Sequence, residues 1–527
     1  MLLQRQEIAL LDVREEAPFA LGHPLWAANL PLARIEVDAW RRIPRHDTPI
    51  VVYDNGEGLA AVAAHRLLAL GYRQVYLLAD GLQGWIDAGY QLFIDVNVPS
   101  KAFGEWLEAE RHTPSLPAEE VKALLDARAN MVVLDARRWD EYQTMSIPSG
   151  ISVPGAELVL RAQALAPDAD THIVVNCAGR TRSLIGTQSL INAGLPNRIT
   201  ALRNGTIGWL LAGQQLAHGA SQRASTMTQV TTEQTAQAAS RARAVADRAG
   251  VRRADRADLQ QFEQELQRTT YCFDVRTAEE YAAGHLPGFG HYAGGQLVQE
   301  TDHAAPVRGA RIVLMDDDGV RANMSASWLA QMGWEVWVLD DVDAAHLNET
   351  GSAPAHYPPL PHDTQFIMPQ ELQQWLSRPD QSGKDASTAV LDLSSSASYV
   401  QQHIPGAWFV LRSQLPEALR KVPAAERYVL TCDTGLLAGY AVQEVERLTG
   451  KPVAALQGGK KAWQAAGLPL QAAPLDEPRL ASPRADRYKR PYEGVDAPRE
   501  AMQAYLDWEF GLVQQLHDDG THSFQII

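Results

Sequence analysis

The chain has 527 residues, 46% hydrophobic and 21% charged, which is enough apolar material for several globular units rather than one. Its formal charge of −16 argues against a nucleic-acid partner, which needs a basic footprint. No apolar run approaches the roughly 18 residues of a membrane span, and Met1 to Glu16 carry no signal pattern. Three scattered cysteines, Cys177, Cys272 and Cys432, suggest a reduced, cytoplasmic protein without a disulfide framework.

Along the chain one pattern recurs four times. An apolar strand runs into an Asp at Ile8 to Asp12, Met131 to Asp135, Tyr271 to Asp274 and Ala389 to Asp392. A second apolar strand then runs into a Gly-containing loop: Ile50 to Tyr53, Ile173 to Asn176, Ile312 to Met315 and Tyr428 to Thr431. The loops begin at Asp54, Cys177, Asp316 and Cys432, 42 residues after the Asp in the first three repeats and 40 in the fourth. Continuous Val/Ile/Leu runs imply strands buried on both faces of a parallel sheet. Each loop is followed by a helix-period segment ending near Gly71, Gly194, Gly333 or Gly450, and then by another short strand. The fold class is therefore α/β, with four tandem units, each a parallel sheet flanked by helices, plus a C-terminal helical tail.

A closing helix built on Trp85, Trp209 or Trp463 ends three of the repeats; the recurrence marks these tryptophans as core anchors. In the third repeat, Asp340 to Ser352 is polar and the closing helix is absent. The units are placed at 1–97, 114–220, 252–351 and 369–473, with 221–251 a helical or mobile, solvated linker and 474–527 the tail. The first unit lacks the helix that precedes the first strand elsewhere; either it is truncated or the true start lies upstream. In the tail, Asp496 to His517 reads as an amphipathic helix with Met502, Tyr505, Leu506, Phe510, Val513 and Leu516 docked on a neighbouring unit.

The chemistry concentrates in Cys177-Ala178-Gly179-Arg180-Thr181-Arg182-Ser183, directly after a buried strand and at the opening of a helix. Amides at a helix N-terminus favour an anion, so a thiol there is expected to be acidified. Arg180 and Arg182 add fixed positive charge suited to oxyanions, and Gly179 lets the backbone curl. Arg182 lies five residues after Cys177, one fewer than in cysteine phosphatases, and the shorter loop suits a sulfur atom better than a phosphoryl group.

Cys-x-Gly-x-x-Arg-Ser, some 40 residues beyond Leu-Asp-x-Arg, resembles the active-site loop of the rhodanese sulfurtransferases. Asp135, Arg137, Glu141 and Tyr142, the His-x-Pro-Gly stretches at His285 and His403, and the closing Gly-Trp helix carry the same resemblance, over most of residues 7 to 473. It implies an enzyme that moves sulfane sulfur from a small anionic donor, such as thiosulfate, to cyanide or a thiol through a persulfide on Cys177. Arg180 and Arg182 would then bind the donor, and Ala178, Gly179, Thr181 and Ser183 would complete the substrate loop. No cofactor is implied, no metal-ligand spacing occurs, and neither nucleic acid nor membrane is a partner.

The other loops are poorer. The first, from Asp54, has neither thiol nor Arg; the third, from Asp316, keeps Arg321 but has Asp in the nucleophile position. The fourth keeps Cys432, but Asp433 opposes thiolate formation and Leu437 replaces the Arg. Cys432 is either a secondary thiol that accepts sulfur, in relay from Cys177 or from another persulfide, or a relic. The alternative to an enzyme is a scaffold in which Cys177 is vestigial. Cys272 reads as core packing, His285 and His403 as turn residues, and Arg137 with Glu141 as a structural ion pair.

Overall fold

The Val/Ile/Leu runs form the centres of four five-stranded sheets in a computed structural model that describes residues 1–352, 355–377, 386–474, 479–494 and 496–527. Parts of the predicted fourth unit (378–385) and of the tail (475–478 and 495) lie outside the described residues. In the second unit the strand order is Ser115–Leu116, Ile199–Leu202, His172–Asn176, Met131–Asp135, Ile151–Ser152, all parallel. The third and fourth units repeat that order around Arg311–Met315 and Ala425–Thr431. Parallel pairing demands crossover connections, and the helices between the strands supply them and cover both faces.

The first unit departs from this plan. Among the described residues its edge strand Val75–Leu77 lacks the outer partner that Ser115–Leu116, Arg252–Ala254 and Phe366–Ile367 give the other sheets. Tyr76 and Leu77 are therefore 54% and 55% exposed. At its other side, Val307–Arg308 from the third unit pairs antiparallel with Ile8 and Ala9. One hydrophobic core also runs through both units, from Leu11 and Ile50 to Ile312 and Trp328, and ends on Leu512, Leu516 and Phe524 of the tail.

Two connecting helices tie the units together. Val98–Arg111, in a stretch assigned to no unit from sequence, is almost entirely buried along its first ten residues. Thr232–Arg248 lies in the predicted linker, but it is not solvated on every side: Ala238, Ala242, Val245 and Ala246 are buried. Small alanines allow this close packing.

The Asp at each first-strand end is buried. Arg14, Arg137 and Arg276 fork onto Asp12, Asp135 and Asp274, and each also donates to a backbone carbonyl eight residues ahead. Arg137 thus pairs with Asp135, not with Glu141 as expected. In the fourth unit Ser394 stands at the arginine position, and Lys460 from the closing helix reaches Ser394 (2.7 Å) and Asp392 (3.4 Å) instead. His285 and His403, read as turn residues, stand just before the Pro-Gly turns, where they are buried and stack on Tyr281 and Tyr399.

Candidate functional site

Cys177 follows the strand His172–Asn176 and precedes the helix Thr181–Asn192. The strand's last residue, Asn176, donates to Asp135 and fixes the strand end. The closing helix Gly205–Leu211 then clamps the loop from outside: Thr206 N–H donates to the Cys177 carbonyl at 2.9 Å and Ile207 N–H to that of Ala178 at 3.0 Å. Gly205 (φ +54°) makes this approach possible, because a Cβ there would lie 2.3 Å from the Cys177 oxygen. Trp209, fully buried with its Nε1 donating to the Gln215 carbonyl, anchors the clamp.

The Cys177 thiol is 2% exposed and lies 3.4 Å from the Ser183 hydroxyl, which itself donates to the Arg180 carbonyl. Burial is the largest influence on the thiol and raises its pKa; Arg182 and the Ser183 hydroxyl and amide oppose it, and Glu509 adds to it. The expected acidification is therefore outweighed by desolvation.

Both arginines are engaged. Arg182 is bidentate to Glu141 at 2.7 and 2.8 Å, and burial of Glu141 is overridden by Arg182, Arg137 and Arg138, which bring its pKa to about 2. Arg180 donates to Glu105 at 2.8 Å, to Glu108 and to Asn204, and its guanidinium lies over the Phe510 ring. Arg180, expected to bind the donor, is thus held by the helix Val98–Arg111 and by Phe510 of the tail. Thr181 packs closely on Gly104 of that helix.

The tail helix Arg499–Asp519 forms the wall opposite the loop. Ala178 and Ile207 pack with Tyr492, Met502, Tyr505 and Leu506. The Glu509 and Tyr505 side chains lie 3.1 and 3.2 Å from where a Gly179 Cβ would stand. Of the apolar positions predicted for this helix, Phe510 is exposed; Glu509 and Leu512, which were not among them, are buried. A polar cavity of about 230 Å³ is lined by Glu141, Arg137, Arg138, Asn97 and Tyr492.

A rhodanese-like domain profile matches residues 1–88, 117–212, 258–341 and 368–466, more than half of the chain. The chain belongs to the rhodanese-like family. A solved structure described as thiosulfate sulfurtransferase from Pseudomonas aeruginosa is 64% identical, covers 100% of this chain and 98% of its own, and superposes with a TM-score of 0.96. The uncharacterized protein YibN of Escherichia coli (strain K12) is 27% identical over 85 residues, 16% of this chain; the match spans 59% of YibN's length.

The other three rhodanese-like loops explain their sequences. In the first, Asp54 accepts the Gly56 and Ala60 amides; in the third, Asp316 accepts those of Gly319 and Ala322. Each carboxylate fills its own loop's anion cradle. Arg321 of the third loop is held by Glu280, Asp317 and Asp318. Among the described residues that unit has no closing helix, and Asp318 accepts the Val320 and Arg321 amides at the start of the helix Arg321–Gln331. In the fourth loop the Cys432 sulfur accepts the Gly435 amide at 3.2 Å, and Lys460 and Lys461 amides clamp the carbonyls of Cys432 and Asp433. Asp433 is bound by Ser398 and Lys460. Cys272 is half-buried in its strand, with burial raising its pKa to about 12.

Sequence reasoning missed Glu105, Glu108, Tyr492 and Glu509. One signal was available: in a helix whose apolar stripe runs through Met502, Tyr505, Leu506, Leu512 and Leu516, Glu509 is a carboxyl on the apolar face.

Proposed function

We propose that this protein is a sulfurtransferase that moves sulfane sulfur from thiosulfate, or a related persulfide donor, to a thiol or cyanide through a persulfide on Cys177. The observation that carries this reading is the contrast among the four loops. Where two units seal the cradle with their own carboxylate, the second presents a thiol there, with Arg182 and the Ser183 amide acting on it. The whole-length likeness to the thiosulfate sulfurtransferase from Pseudomonas aeruginosa supports the same reaction class.

Cys177 loses its proton to solvent and the thiolate attacks the donor's outer sulfur. The new S–S bond forms on Cys177 as the donor's own S–S bond breaks, and sulfite leaves with the electron pair. The terminal persulfide sulfur is stabilised by Ser183 and Arg182 until an acceptor thiolate or cyanide removes it. Burial keeps the resting thiol neutral and guards it from stray oxidation. The first and third units serve packing, since their carboxylates occupy the cradle. The three cysteines are free, which supports a reducing, cytoplasmic setting. The test is a cyanide-coupled thiocyanate assay on Cys177→Ser and Cys432→Ser. Loss in the first and retention in the second is expected; full activity in the Cys177 variant overturns the assignment.

A further inference from the structure

The C-terminal helix brings a carboxyl into the Cys177 site that no repeat of the rhodanese pattern contains. Glu509 is fully buried; its Oε1 accepts from Tyr505 at 2.8 Å, while its Oε2 has no hydrogen-bond partner among the described residues and lies against Gly179 of the active loop. A buried polar atom without a partner is costly, so its retention calls for a role. The unpartnered oxygen faces the loop whose first residue is the candidate nucleophile, and the two groups interact electrostatically.

Resting on the sulfur-transfer reading above, we propose that Glu509 is the donor-selecting residue of the Cys177 site, its protonated carboxyl hydrogen-bonding the leaving oxyanion and its ionised form excluding dianionic donors. The Cys177 thiolate bonds to the sulfane sulfur, the donor S–S bond breaks, and sulfite leaves with the electron pair; the Glu509 carboxyl donates a hydrogen bond to its oxygen and keeps its proton.

The groups around Glu509 set when it is protonated. Tyr505 stands on its own helix, Glu105 and Lys101 on the helix Val98–Arg111, and Arg180 and Cys177 on the loop. Burial first, then Glu105, raise Glu509; Lys101, the Tyr505 hydroxyl and Arg180 oppose them, leaving it near 8. Lys101 is itself tied to Asp95 at 2.8 Å, and Arg180 to Glu105, so neither is free to pair with Glu509. The carboxyl is neutral at pH 7 and charged above pH 8.

The experiment is the pH dependence of KM for thiosulfate in wild type and Glu509→Gln. In wild type KM stays flat to pH 7 and rises about tenfold per pH unit once Glu509 ionises; in Glu509→Gln, which keeps a hydrogen-bond donor at every pH, it stays flat. Identical profiles in the two proteins overturn the proposal, as does a uniform loss of kcat in Glu509→Gln, which marks Glu509 as a base. A second measurement needs wild type only. Iodoacetate and iodoacetamide alkylate the same thiolate, so the ratio of their rates at Cys177, read by peptide mass, cancels thiol ionisation. The neutral reagent must gain on the anionic one as pH passes 8; a constant ratio overturns the proposal. If Cys177 forms no persulfide in wild type, the sulfur-transfer reading itself fails, a result distinct from either pH outcome.

Discussion

Glu141→Gln isolates the charge pair beside Cys177. Glu141 carries Arg182 bidentately, and its pKa falls from 4.5 to about 2 in the folded protein. At about 1.36 kcal/mol per pH unit this is worth roughly 3 kcal/mol, trimmed to roughly 2 because the Glu141 side chain is 22% exposed. A carboxyl with a depressed folded pKa stabilises fully above its unfolded value, and that contribution fades as pH falls from about 4.5 towards 2. The variant should therefore lose roughly 2 kcal/mol at pH 7 and little of it near pH 2. Hydrogen exchange of peptides from Thr181–Asn192 reads this opening locally, which avoids assuming one cooperative transition in a multi-unit chain. Without its counter-charge, Arg182 also acts unopposed on Cys177, so iodoacetamide labelling at pH 7 should accelerate. Unchanged exchange together with unchanged labelling would refute the reasoning.

Wild-type Cys177 should alkylate slowly at pH 7 and faster as pH rises, because burial raises its pKa; a rate already at its plateau at pH 7 contradicts that. Gly205→Ala forces a Cβ to within 2.3 Å of the Cys177 carbonyl at a positive φ, and should abolish thiocyanate production while the other units keep their protection in hydrogen exchange. Trp209→Ala should cost about 3–5 kcal/mol in the second unit, read by the same exchange measurement. Glu509→Gln should raise stability at pH 9 relative to wild type and leave it similar at pH 4. An acid whose folded pKa is raised loses stability as pH climbs from its unfolded value of 4.5 to about 8, and thermal melts at the two pH values check the sign.

The repeat was legible because the spacing from Asp12, Asp135, Asp274 and Asp392 to the four loops is set by a repeated run of short helix, two-residue edge strand and further helix between two buried strands, a local construction. The polar run after Asp340 likewise announced the missing closing helix. What escaped was how the four units meet one another. Val98–Arg111 contains Ser100 and Gly104, residues that weaken a helical pattern; its burial between units, not propensity, makes it a helix. Val307–Arg308 is a two-residue strand that only tertiary contact defines. At the site, the loop Cys177 to Ser183 could be named from sequence, but the fate of Arg180 depends on Glu105 and Glu108, more than 70 residues away. The thiol's direction of shift reversed because sequence supplies the arginines but not the burial.

The most direct test of the account is the mass of the intact protein after incubation with thiosulfate, followed by peptide mapping. The account predicts the gain of one sulfur atom, located on the Cys177 peptide and removed by cyanide. Sulfur on the Cys432 peptide alone, or no added sulfur with either thiosulfate or glutathione persulfide, would contradict it.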